Sequence, residues 1–239
     1  MSDFERWIER FLADLEAAGI ADAVIVLHGS AARGQYLAGW SDVNLLMVLE
    51  QLSPDLLDRM RPALARWQLN AEAMPLLFTR AEWAGAADSY PLEIAEMRTG
   101  YRVVRGADPV VDAVVRPAEL RVALERELRG KLLRLRQGYA LLGDRPEALA
   151  EGSRQMISSL LVLLRGLIVM AGGTPPQDPA ETVSVASDLA GFEPAPLSRI
   201  VTRRLQSDWK LSRDEFAGLM AAVEQAARFV DHSTHGEVS

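Results

Sequence analysis

The stretch over residues 23–50, AVIVLHGSAARGQYLAGWSDVNLLMVLE, constrains the fold of this chain more than any other. Residues 24–27 are an unbroken run of Val, Ile, Val and Leu, the composition of a strand buried on both faces. Gly29 ends the run and permits a tight turn, after which Ser30 can cap a short helix over 31–36. A second apolar run, 43–49, is polar only at its start. Asp42 and Asn44 are two residues apart, so in an extended strand their side chains leave the same face.

This pattern has a chemical reading. Unpaired backbone N–H groups and partial positive charge at a helix N-terminus suit a phosphate. Arg33, one turn on, would add a charge-assisted contact. Two carboxylates at the 42/44 spacing, beside such a turn, would hold Mg2+ for phosphoryl or nucleotidyl transfer.

Gly29-Ser30, Arg33-Gly34 and Ser41-Asp42-Val43-Asn44, followed by Leu45-Leu46-Met47-Val48, resemble the signature of the nucleotidyltransferase superfamily, the polymerase-β-like fold. Within it the likeness is to small bacterial aminoglycoside-adenylyltransferase-type proteins. Order, spacing and strand context match over about 25 residues. The resemblance implies an α/β (α+β) domain with a small mixed sheet, followed by an all-α helical bundle that helps hold the acceptor. It also implies nucleotide contacts from Gly29, Ser30 and Arg33, and metal ligands or catalytic groups at Asp42, Asn44 and Glu72. The implied partners are Mg2+, an NTP (first of all ATP) and a small-molecule acceptor, and the resemblance leaves room for a homodimer. One departure stands out: Asn44 occupies the slot of the family's second metal-binding Asp, and an amide carbonyl brings no charge to Mg2+. The family's third carboxylate slot falls near Met74. Glu72, two residues back on the same face, is the acid available there.

Composition narrows the function classes. There is no cysteine, which excludes disulfides, thiolate metal sites and thiol nucleophiles. The net charge of −7 disfavours broad binding to nucleic-acid backbones. The N-terminus carries acids and polar breaks and does not read as a leader, so the expected location is the cytoplasm. Residues 2–18 open with Ser2 and Glu5 at capping-box spacing and continue as an amphipathic helix through Phe4, Trp7, Ile8, Phe11, Leu12 and Leu15. Ser53-Pro54 starts another helix, which Pro62 is expected to kink or break. Residues 73–78 form a third strand candidate, and Pro75 assigns it to an edge or a bulge. Thr79 to Glu82 is a second capping box, 91–97 reads as a helix, and 101–104 as a short strand.

From Pro117 the texture becomes purely helical. Leu120, Leu124, Leu128, Leu132, Leu135, Tyr139 and Leu142 form one stripe of a long helix. Its basic strip, Arg121, Arg126, Arg129, Lys131, Arg134 and Arg136, could meet nucleotide phosphates. A solvated face balanced by Glu119, Glu125 and Glu127 is the simpler reading. The apolar segment 155–171 is short of the roughly 20 residues of a membrane span and is interrupted by Arg165, which favours a bundle helix. Further helices are expected near 180–190, 196–206 and 213–231, the last with a capping box from Ser212 to Glu215. The expected organisation is thus 1–116, 117–231 and a flexible tail, 232–239, holding His232 and His235. His28, beside Gly29, either touches a ligand or fills the end of its strand. Three functions remain open at this level: a nucleotidyltransferase, a nucleotide-binding regulator without catalysis, and an antitoxin-like interaction scaffold.

Overall fold

The computed structural model describes residues 2–38, 41–71, 73–206 and 208–233, and the chain divides into two compact units, Met1–Val114 and Val115–Ser239. The first unit runs α1 (Asp3–Ala17), β1 (Val24–His28), β2 (Asn44–Leu49), α2 (Pro54–Ala71), β3 (Leu76–Thr79), α3 (Arg80–Ala84), α4 (Ala86–Ser89), α5 (Pro91–Arg98) and β4 (Tyr101–Arg105). Among the described residues the strands form one mixed sheet in the order β3-β2-β1-β4. β1 is antiparallel to both β2 and β4, and β2 is parallel to β3.

The apolar runs explain the two central strands. Every residue of β1 except His28, and every residue of β2 except Asn44, is buried. One face of the sheet, with Ile25, Leu27, Leu45 and Met47, packs in a single core with Ile8, Phe11 and Leu15 of α1 and Met60, Leu64 and Trp67 of α2. The Phe11 and Trp67 rings meet at 5.0 Å between centroids. On the opposite face Phe78, paired with Val48, contacts Trp83 and Tyr90 edge-on at 5.4 and 5.1 Å. β3 occupies an edge, as Pro75 just before it requires.

Several sequence expectations need correction. α2 passes through Pro62 without interruption. The missing N–H and ring clash of a helix-interior proline cost about 3 kcal/mol, and burial of Met60, Ala63, Leu64 and Trp67 on either side outweighs that. At α1 only half of the capping box forms: Ser2 accepts from the Glu5 N–H, while the Glu5 carboxylate pairs with Arg102 of β4 at 2.8 Å. The boxes at Thr79/Glu82 and Ser212/Glu215 are complete. The short helix expected over 31–36 is a hydrogen-bonded turn.

The second unit comprises α6 (Pro117–Leu142), α7 (Pro146–Met170), α8 (Pro179–Ala190), α9 (Ala195–Arg203) and α10 (Arg213–His232). α7 begins well before the apolar segment and is 25 residues long, so by length and composition it passes for a membrane-crossing helix. Here Leu160, Leu164, Leu167 and Ile168 are buried, and α7 packs against α6, α8, α9 and α10. The α6 stripe of Leu120, Leu124, Leu128, Leu132 and Leu135 is buried, while its basic strip is largely paired within the bundle. Arg129 reaches Glu125 and Asp231, each at 2.8 Å, Arg121 reaches Glu125 at 3.2 Å, and Arg136 reaches Glu224 at 3.6 Å. His232 is the last residue of α10, and His235 lies outside the described residues.

Candidate nucleotide site at the sheet end

Each candidate residue owes its place to the β1–β2 pairing. The last pair of the antiparallel ladder is His28 with Asn44, and on the other side His28 pairs with Tyr101. Gly29 and Ser30 therefore leave the sheet at the same end where Asp42 and Val43 enter it. Gly29 has φ 76°, and a Cβ there would stand 3.1 Å from the Asn44 amide nitrogen. Glycine is thus needed twice, for a left-handed backbone and for the side chain of Asn44 lying over it.

The chain then makes one helical turn. The Arg33 N–H donates to Gly29 O at 3.2 Å, Gly34 N–H to Ala31 O at 3.3 Å, and Gln35 N–H to Ser30 O at 2.8 Å. The last two bonds, with Gly34 at φ 74°, are the six-to-one and five-to-two closure that ends a helix. Gly34 therefore stops the helix after one turn, which is why 31–36 does not continue as the sequence suggests. Farther on, Ser41 closes its own loop: its N–H donates to Leu37 O at 2.9 Å and its hydroxyl accepts from the Leu37 N–H at 3.1 Å. The Val43 N–H donates to Ala71 O at 3.2 Å, tying the start of β2 to the end of α2.

Asp42 is exposed, whereas Ser30 and Asn44 are half-buried. Arg33 turns inward. Its Nη1 pairs with Glu96 Oε1 of α5 at 2.8 Å, the two side chains being 4% and 10% exposed, and donates to Thr99 Oγ1 at 3.2 Å. Thr99 Oγ1 in turn donates to Glu96 O at 2.7 Å. Burial, and secondarily the positive charge of Arg33, lower the His28 pKa from 6.5 to about 4, so the imidazole is neutral at physiological pH. Its Nε2 is buried without a hydrogen-bond partner, consistent with a side chain that fills the strand end.

Sequence reasoning did not find Glu96, Thr99 and Gly100. The available signal was an acid inside an otherwise apolar helix: Leu92, Ile94, Ala95 and Met97 around Glu96 are all buried. The parallel register Leu46–Leu76, continued two residues back, sets Met74 level with Asn44. Met74 is exposed and no ligand for a hard cation. Glu72 lies outside the described residues.

The donor set decides how well Mg2+ is served. Asp42 carries a charge, Asn44 is a neutral amide lying over Gly29, and Glu96 is engaged with Arg33. Among the described residues there is no group of three His, Asp or Glu side chains able to hold a metal ion. Asp42 and Asn44 between them offer a magnesium ion one carboxylate.

No family profile matches the sequence, and no curated protein matches it. In three dimensions the chain resembles spectinomycin adenyltransferase AAD(9) from Enterococcus faecialis, a structure with ATP and spectinomycin. The TM-score is 0.57 at 12% sequence identity, covering 95% of this chain and 99% of that one. The fold is nucleotidyltransferase-like. A mixed four-stranded sheet with its helices, followed by a helical region, is what the signature around Gly29 and Asp42 implies.

Proposed function

We propose that the protein binds a nucleoside triphosphate, ATP first of all, at the sheet end formed by Gly29, Ser30, Asp42 and Asn44, and that nucleotidyl transfer to a small hydroxylated acceptor is suppressed. The observation that carries this reading is the terminal His28–Asn44 pair, which brings the Gly-Ser turn and the Asp-Val-Asn segment to one end of the sheet. The neighbour of the same fold, whose structure contains ATP, supports it. Turn N–H groups and the Ser30 hydroxyl would take the phosphates, and Asp42 would bring the one negative side chain. Nucleotidyl transfer asks for strong neutralisation of charge that develops on the phosphoryl oxygens and the leaving group. A neutral Asn44 removes the second carboxylate that would recruit a divalent cation for that task. Binding therefore survives better than turnover.

Titration calorimetry with ATP and GTP, with and without Mg2+, on the wild-type protein and on Asn44→Asp tests this. The expected result is ATP binding by the wild type with weak dependence on Mg2+, and tighter, Mg2+-dependent binding by Asn44→Asp. Absence of nucleotide binding in both forms would overturn the reading and favour an interaction scaffold. Adenylylation of a small-molecule acceptor by the wild type would overturn the suppression of transfer and leave an active transferase.

A further inference from the structure

The Arg33–Glu96 pair is buried, joins two segments remote in sequence, and is unused by the nucleotide reading above. Arg33 is the last residue of a single helical turn, and one turn is too short to be stable by itself. Its guanidinium is held by Glu96 and Thr99, and its aliphatic stem lies across Gly100. A Cβ at Gly100 would stand 2.5 Å from Arg33 Cγ and 3.3 Å from Cδ. Charge, hydrogen bonding and shape at the α5–β4 junction thus all converge on this one side chain.

We propose that Glu96, Thr99 and Gly100 are positioning residues that act through Arg33 to fix the 29–34 turn in the form that receives phosphate. The phosphate part of the statement rests on the nucleotide reading above. Arg33 is then a brace reaching back into the protein, and the ligand meets the backbone and Ser30. Loss of the Glu96 charge leaves the buried Arg33 guanidinium without its ion-pair partner, so Arg33 turns to solvent and draws the turn with it. A side chain at Gly100 produces the same displacement with both charges intact.

Three variants of the full chain separate these contributions: Glu96→Gln removes charge, Gly100→Ala removes space, and Thr99→Val removes one hydrogen bond. Amide hydrogen exchange at Arg33, Gly34 and Gln35 is read without ligand, with Ile25 and Leu27 of β1 as internal controls. ATP binding is read by calorimetry well below each variant's melting temperature. The expected result is at least tenfold faster exchange at 33–35 in Glu96→Gln and Gly100→Ala, with the β1 amides unchanged, and at least tenfold weaker ATP binding. Thr99→Val gives a smaller change in the same direction and serves where the stronger variants fail to fold. Unchanged exchange at 33–35 overturns the brace. Faster exchange with unchanged ATP affinity overturns the positioning role and leaves a structural pair. If the wild type binds no ATP, the nucleotide reading fails on its own account, the phosphate-receiving role fails with it, and exchange alone decides whether the brace on the turn stands.

Discussion

Acidification should destabilise the first unit through His28. His28 ends β1, with Asn44 and Tyr101 as its ladder partners, and burial with the nearby Arg33 charge lowers its pKa from 6.5 to about 4. Above pH 6.5 the imidazole is neutral in the folded and the unfolded chain and contributes nothing to the pH dependence. As pH falls from about 6.5 to about 4, only the unfolded chain takes up the proton, so stability falls. Below about 4 both states are protonated and the loss stops growing. At about 1.4 kcal/mol per pH unit, the whole window amounts to about 3 kcal/mol. That is a sizeable share of the roughly 5–15 kcal/mol typical of a folded domain. The assay is urea unfolding followed by tryptophan fluorescence at pH 7.5 and 4.5, on the parent and on His28→Gln. The variant is expected to be less stable at neutral pH but to lose about 2–3 kcal/mol less on acidification. Groups shared by the two proteins contribute equally to both losses and cancel. Identical losses in the two proteins would refute the claim that His28 is held neutral by its surroundings.

Two further outcomes follow from the packing. Phe78→Ala, which removes the ring between Trp83 and Tyr90, is expected to cost about 3–5 kcal/mol; calorimetric melting checks it, and a loss below about 1 kcal/mol would mean the cluster carries little weight. Arg129→Ala is expected to leave stability nearly unchanged and nucleotide affinity unaltered, because its two ion pairs lie on the surface of the bundle. A strong loss of ATP binding in that variant would restore the phosphate role of the basic strip.

What could be read from the sequence were features dictated by neighbours along the chain. Val24 to Leu27 announces a buried strand because no residue there tolerates water, and the structure buries all four. Thr79 with Glu82, and Ser212 with Glu215, specify helix starts through bonds three residues apart. The features that escaped depend on partners far away. Arg33 looks like a phosphate ligand until Glu96 and Thr99 are brought beside it. Glu5 looks like half of a cap until Arg102 offers a better partner. Pro62 looks like a break until the buried residues around it are counted. The helix expected after Ser30, read from its cap alone, ended early because Gly34 supplies a left-handed closure, a signal the sequence held. At the candidate site, the pairing of His28 with Asn44 could be anticipated from the two apolar runs, whereas the burial of Arg33 could not.

The distance in sequence between Arg33 and Thr99, 66 positions, has a bearing on how the site comes into being during synthesis. The β1–β2 hairpin needs only nearby residues and can pair early, whereas α5 emerges from the ribosome much later. A nascent chain would accordingly carry a formed ladder with a loose turn at its end. The turn would gain its brace only once residues 96–100 have been made, so that a product truncated before them would keep the β1–β2 ladder and lack both β4 and the partners of Arg33.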